Sequence, residues 1–110
     1  LQRYEQAISL FLQALKLLPL CADVKDKTEA EQNAIGIHQN LGISYNALGD
    51  FSNALSASQR QLDCGLIAKD QTAQCRANYG IGMAYNNMFK YDDALSYLTK
   101  STEQAESIGF

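Results

Sequence analysis

A chain of 110 residues has room for one domain with a modest core, and 46% hydrophobic against 19% charged residues is the balance of a globular chain, not a disordered one. A net charge of −3, with nine basic residues scattered from Arg3 to Lys100, excludes the gathered basic face that nucleic-acid binding needs. Cys21, Cys64 and Cys75 lie 43 and 11 residues apart and His38 is the single histidine, so spacing and ligand count both fail for a metal site.

The first predicted element is a helix over residues 2–18. Tyr4, Ala7, Ile8, Phe11, Leu12, Ala14, Leu15 and Leu18 form one apolar stripe, and Pro19 is expected to close it. Gln13 and Lys16 interrupt the stretch from Ile8 to Leu20 at helical spacing, so it does not read as a signal sequence. No apolar run in the chain approaches the roughly 18 residues of a membrane span. Residues 20–27 carry Asp23, Lys25, Asp26 and Lys27 without periodicity and read as a connector.

Thr28-Glu29-Ala30-Glu31 has the form of a capping box, a hydroxyl followed three residues later by a carboxylate, and opens a helix reaching Leu48. Gly49-Asp50 supplies a left-handed stop and the next N-cap. A helix over 51–68 follows, then a tight break at Lys69-Asp70 and a helix over 71–88. A turn at Phe89-Lys90 leads into the last helix, 91–108, which ends at Gly109. Five helices with short connectors predict an all-α array of antiparallel pairs. The chain lacks an initiating Met and opens on what reads as half of a pair, so it is expected to be a piece of a longer protein.

The pattern repeats. An interval of 40 carries Leu41-Gly42-Ile43-Ser44-Tyr45 onto Ile81-Gly82-Met83-Ala84-Tyr85, Phe51 onto Tyr91, Ala54 onto Ala94 and Leu55 onto Leu95. Seven further residues of offset bring Tyr4, Ala7 and Ile8 onto Phe51, Ala54 and Leu55. A fixed period of this size marks a stacked array. Gly42, Gly82, Ala54 and Ala94 are expected to admit close helix approach, and Tyr45, Tyr85, Phe51 and Tyr91 to fill the gaps that helix crossing leaves.

This pattern resembles the tetratricopeptide repeat. The middle repeat offers His38, Leu41, Gly42, Tyr45, Gly49, Phe51 and Ala54; the last offers Asn78, Ile81, Gly82, Tyr85, Tyr91, Ala94 and Leu98. The opening segment matches a second helix alone, through Tyr4, Ala7, Phe11, Ala14 and Pro19. Departures are His38 and Asn78 at the family's first aromatic, and Ser58 and Gln61 at its later aromatic and alanine. The interval of 40 and Asn40-Leu41-Gly42 look like the longer Leu-Gly-Asn variety of the repeat.

The resemblance implies an α-solenoid, a right-handed superhelix of about two and a half repeats: residues 1–20 the second helix of a truncated repeat, 28–69 and 70–110 full repeats. It also implies a concave groove lined by first helices. The groove positions are Gln39, Asn40, Ile43 and Asn46, with Gly36, from one repeat, and Arg76, Tyr79, Met83, Asn86 and Asn87, with Gly80, from the next. The family's clamp for acidic chaperone tails needs Lys, Arg and Asn here, but Gln39, Ile43 and Gly80 stand in its place and only Arg76 keeps a charge.

No nucleophile–base pair, phosphate-cradling loop or carboxylate dyad can be assembled, so no catalytic, cofactor-binding or metal residues are expected. Gly80-Ile81-Gly82 lies inside a predicted helix and is no dinucleotide fingerprint. His38 reads as a packing residue at a helix start, Met83 and Met88 as core and groove lining, and Asp92-Asp93 as charges favoured by a helix N-terminus. Asn86-Asn87 reads equally as a recognition pair or a solvated helix end, and Glu103 and Glu106 as a solvated face. The expectation is a non-enzymatic, cytoplasmic scaffold or adaptor holding a partner's peptide or helix. A self-assembly module joined through uncovered terminal helices, or a non-catalytic regulatory segment of a larger enzyme, stands as the alternative.

Overall fold

The computed structural model describes the backbone of residues 2–21 and 27–109, and the side chains of 3–16 and 32–109. Among these residues all regular structure is helical: α1 (Gln2–Cys21), α2 (Lys27–Leu48), α3 (Phe51–Ile67), α4 (Gln71–Asn87) and α5 (Tyr91–Ile108). Each helix packs on the next, and α2 also touches α4. The result is an all-α solenoid with extents of 41 × 36 × 18 Å, about two helix diameters thick.

Three helix boundaries fall as the sequence predicts to within a residue, and their turns share one geometry. Asp50, Asp70 and Lys90 each donate a backbone N–H to the carbonyl five residues back (Tyr45, Gly65 and Tyr85), all at 2.9 Å. The residue before each donor is left-handed: Gly49 at φ 79°, Lys69 at 55° and Phe89 at 63°. These wraps satisfy carbonyls that a helix end otherwise orphans. Gly109, at φ 83°, stands at the end of α5 in the same conformation. The caps differ. Asp50 accepts from the Asn53 amide at 3.4 Å and Asp70 from the Ala73 amide at 3.0 Å, whereas Lys90 makes no side-chain cap. Asp92 and Asp93 place negative charge in the first turn of α5.

Two expectations about the opening segment need correction. Helix α1 continues to Cys21, two residues past Pro19. Proline lacks the N–H that would bond the carbonyl four residues back, and this close to the helix end that loss is a single bond, which does not stop the helix at Pro19. Helix α2 is already helical at Lys27, ahead of Thr28. The capping-box side chains at Thr28 and Glu31 lie outside the described residues, as does the side chain of Cys21.

The core is built from the repeating positions. Leu41, Ile81, Ala54 and Ala94 are buried, together with Ala57, Ala73, Ala77 and Ala84. Small side chains dominate because the helices lie close. Several polar groups that enter the contacts are paired: Gln61 Nε2 donates to Ala73 O at 3.4 Å, and Gln74 Nε2 to Gly65 O at 3.1 Å. Asn78 Nδ2 donates to Gln104 Oε1 at 2.7 Å, and Ser101 Oγ to Cys75 O at 3.0 Å. Tyr85 stacks on Tyr97 with centroids 5.7 Å apart. Tyr91 departs from its expected gap-filling role. It is 60% exposed and touches Phe89 edge-on at 6.3 Å, because no described helix covers that side of α5.

Candidate functional site

Helices α2 and α4 both pack on α3 and meet each other weakly, which leaves a concavity between them. It holds about 570 Å³. Gln39, Ile43 and Asn46 enter it from α2 at the i, i+4, i+7 spacing of one helix face, and Arg76, Tyr79, Met83 and Asn87 enter from α4 in the same way. Seven of the nine predicted groove side chains therefore meet in one cavity. Asn40 and Asn86 are exposed and stand outside its lining, each one residue off the inward stripe. Gly80 lines the cavity, whereas Gly36 does not.

The floor comes from residues the groove positions did not include: Gly42, Ser58, Gln61, Cys75 and Ser101. A signal for two of them was present, since Ser58 and Gln61 are the departures from the family's aromatic and alanine. Small and flexible polar groups there leave room that larger apolar ones would fill. Gly80 sets the depth. A Cβ at that position would lie 2.6 Å from Ser58 Oγ, so only glycine brings α4 down onto that hydroxyl without displacing it.

The lining is chemically mixed. Ile43 and Tyr79 are 57% and 55% exposed and present apolar surface from opposite walls. Arg76 is the only charged side chain of the lining among the described residues. Among the described residues Asn46 Oδ1 is enclosed without a hydrogen-bond partner, an acceptor that a bound donor would satisfy. The Cys75 thiol is already engaged, donating to Ser101 O at 3.3 Å. Side chains of this kind can hold a chain segment by amide contacts and apolar pockets.

His38 is a packing residue, though not at a helix start: it lies well inside α2, buried beside Leu12 of α1 and Arg60 of α3. Burial, and secondarily the positive charge of Arg60, lowers its pKa below the usual histidine value. Its Nδ1 has no hydrogen-bond partner among the described residues. No described helix is long and apolar enough to cross a membrane.

Compared with known proteins, residues 76–107, which span most of α4 and α5, match the profile of the Tetratricopeptide repeat family. No curated protein and no solved structure matches the chain.

Proposed function

We propose, from the match of residues 76–107 to the Tetratricopeptide repeat family, that the chain is a non-enzymatic protein-interaction scaffold whose α2–α4 groove holds an extended segment of a partner protein. The observation that carries this reading is the cavity itself, in which seven side chains from two separate helices converge. Asn46, Gln39 and Asn87 can accept from and donate to a peptide backbone, and Ile43, Tyr79 and Met83 receive apolar side chains. Residues 1–20, 28–69 and 70–110 act as the units of the array, the first as a lone second helix. A reducing, cytoplasmic setting suits the buried Cys75 thiol.

The test is selection of random displayed peptides on the immobilised chain, followed by amide chemical-shift mapping of the winners. Shifts should fall on α2 and α4. Tyr79→Ala combined with Asn46→Ala should weaken binding at least about tenfold with an unchanged thermal midpoint, since both side chains line the cavity and neither is part of the buried core. Peptides that bind the double variant as well as the parent would sink the groove reading.

A further inference from the structure

The two helix pairs differ beside His38. In the α4–α5 pair the ring of Tyr97 stacks on Tyr85, and Lys100 Nζ lies 4.9 Å from the centre of that ring. Forty residues earlier Tyr85 has its counterpart in Tyr45 and Lys100 in Arg60, but the place of Tyr97 belongs to Ala57. With a methyl group where a phenol would stand, a crevice of about 90 Å³ remains between α2 and α3, and Leu12 of α1 forms its third wall. A water molecule's share of liquid volume is about 30 Å³, so the space suits a group of about four or five heavy atoms.

The polar lining is rich in donors. His38 closes the crevice from α2 and is buried, whereas Asn53, Ser56 and Arg60 stand exposed at its mouth on α3. Steps of three and four along the chain put these three on one helix face. Asn53 is engaged in part, donating through Nδ2 to Asp50 Oδ2 at 2.6 Å. Arg60 and Ser56 have no hydrogen-bond or ion-pair partner among the described residues, and no carboxylate lines the crevice there. The charge of Arg60 reaches the floor: burial first, and that charge second, lower the pKa of His38. From α3 His38 faces Arg60, from α1 the apolar Leu12, and from its own helix Tyr45. An arginine fork, a hydroxyl and an imidazole without an acid among them are the chemistry of an oxyanion site. Mouth and floor offer donors from more directions than the plane of a carboxylate uses.

We propose that this crevice binds a tetrahedral oxyanion, a phosphate or sulfate group, held by Arg60 and Ser56 at the mouth and His38 at the floor. The α4–α5 pair has no such site, because Tyr97 fills the equivalent space and Lys100 lies on its ring. The crevice shares no lining residue with the α2–α4 groove, so the proposal stands whether or not a peptide occupies that groove.

His38 is the single histidine, and its imidazole resonances therefore read the site without assignment. The probe is sodium sulfate, which keeps its charge across the range in which histidine titrates, with sodium chloride holding ionic strength constant. Sulfate should move the imidazole signals along a saturating curve and raise the titration midpoint of His38, because the imidazolium gains a partner. By reciprocity its affinity should rise as pH falls through that midpoint. Arg60→Gln should weaken sulfate at least about tenfold, and Ser56→Ala by less. Ala57→Tyr, which rebuilds the arrangement of α5, should abolish binding, and Lys100→Gln should leave it unchanged. Inorganic phosphate compared with O-phosphoserine separates the two sources of the group: tighter binding of the first marks a free ion, of the second a phosphorylated side chain. No saturable shift, an equal response to sodium acetate, or an Arg60→Gln variant that binds sulfate as the parent does would each overturn the proposal.

Discussion

Gly42 and Gly82 stand at the same place in consecutive helix pairs, yet they are not equivalent. A Cβ on Gly42 would find Ser58 Oγ at 3.4 Å, Ala54 O at 3.8 Å and Ala57 Cβ at 3.9 Å, all ordinary contact. A Cβ on Gly82 would stand 2.7 and 2.8 Å from Leu98 Cγ and Cδ2 and 3.2 Å from the Leu98 backbone nitrogen. The difference comes from the opposite helix: position 58 is serine and its counterpart 98 is leucine. In the α2–α3 pair a small polar residue leaves slack, and that slack opens into the groove floor. In the α4–α5 pair a large residue fills the contact, and glycine is what makes room for it. One repeat pattern thus yields a loose pair beside the cavity and a tight pair at the end.

The largest expected effect breaks this comparison directly. Gly82→Ala should lower unfolding free energy by about 1–3 kcal/mol through overpacking against Leu98. Gly42→Ala should be neutral or stabilise by up to about 1 kcal/mol, since alanine favours the helix and its methyl group fits. Urea unfolding of both variants decides it, and equal losses would show that the two contacts are alike after all. Gly82→Ala with Leu98→Ser should recover part of the loss by recreating the looser geometry.

A smaller effect separates the caps. Asp70→Ala should cost about 1 kcal/mol, because it removes the acceptor of the Ala73 amide. Lys90→Ser should gain up to a similar amount by supplying the acceptor that α5 lacks. A loss on Lys90→Ser would mean that the lysine side chain contributes something beyond its place in the turn. Smaller again is Phe89→Gly. Relief of the left-handed φ of 63° should outweigh the added chain entropy and raise stability by a few tenths to about 1 kcal/mol. Gly49→Phe should do the reverse in the equivalent turn one repeat earlier.

The smallest effect is a pH dependence confined to the α2–α3 side, since the corresponding position in α4 is Asn78. His38 is held neutral by burial and, after that, by Arg60, so its folded pKa lies below the unfolded 6.5. The folded state then binds fewer protons than the unfolded one in this range. Stability should be complete above pH 6.5 and decline as pH falls through 6.5 toward the folded value. His38→Asn should remove that part of the slope. A parent curve flat between pH 7.5 and about 5 would contradict the buried neutral state.

Much of this architecture was legible in the residues. Leu41 and Tyr45 on one helix and Ala54 on the next, with their copies Ile81, Tyr85 and Ala94, announced helices that pack in pairs, because apolar spacing at 3.6 residues needs only the chain itself. Gly49-Asp50 announced a turn for the same reason: a left-handed residue and a capping carboxylate are local devices. Seven cavity-lining side chains were among the positions that the resemblance to the tetratricopeptide repeat implied, and spacing along a helix alone would not have said which face turns inward. Less was legible where the cause is not local. Lys69 and Phe89 adopt left-handed turns that neither residue favours, and only packing of the flanking helices compels them. Pro19 was read as a stop, whereas α1 carries two residues beyond it.

By itself the sequence determined the five helices, their order and the period of 40, since periodicity, caps and turn residues act within a few positions of one another. The tertiary structure alone decided which glycine is indispensable, because that depends on the side chain reaching across from another helix. It alone decided that Ser58 and Gln61 would floor a cavity, and that Tyr91 would stand exposed where its counterpart Phe51 is half-buried. Those outcomes are set by which helix lies against which, and no window along the chain contains both partners.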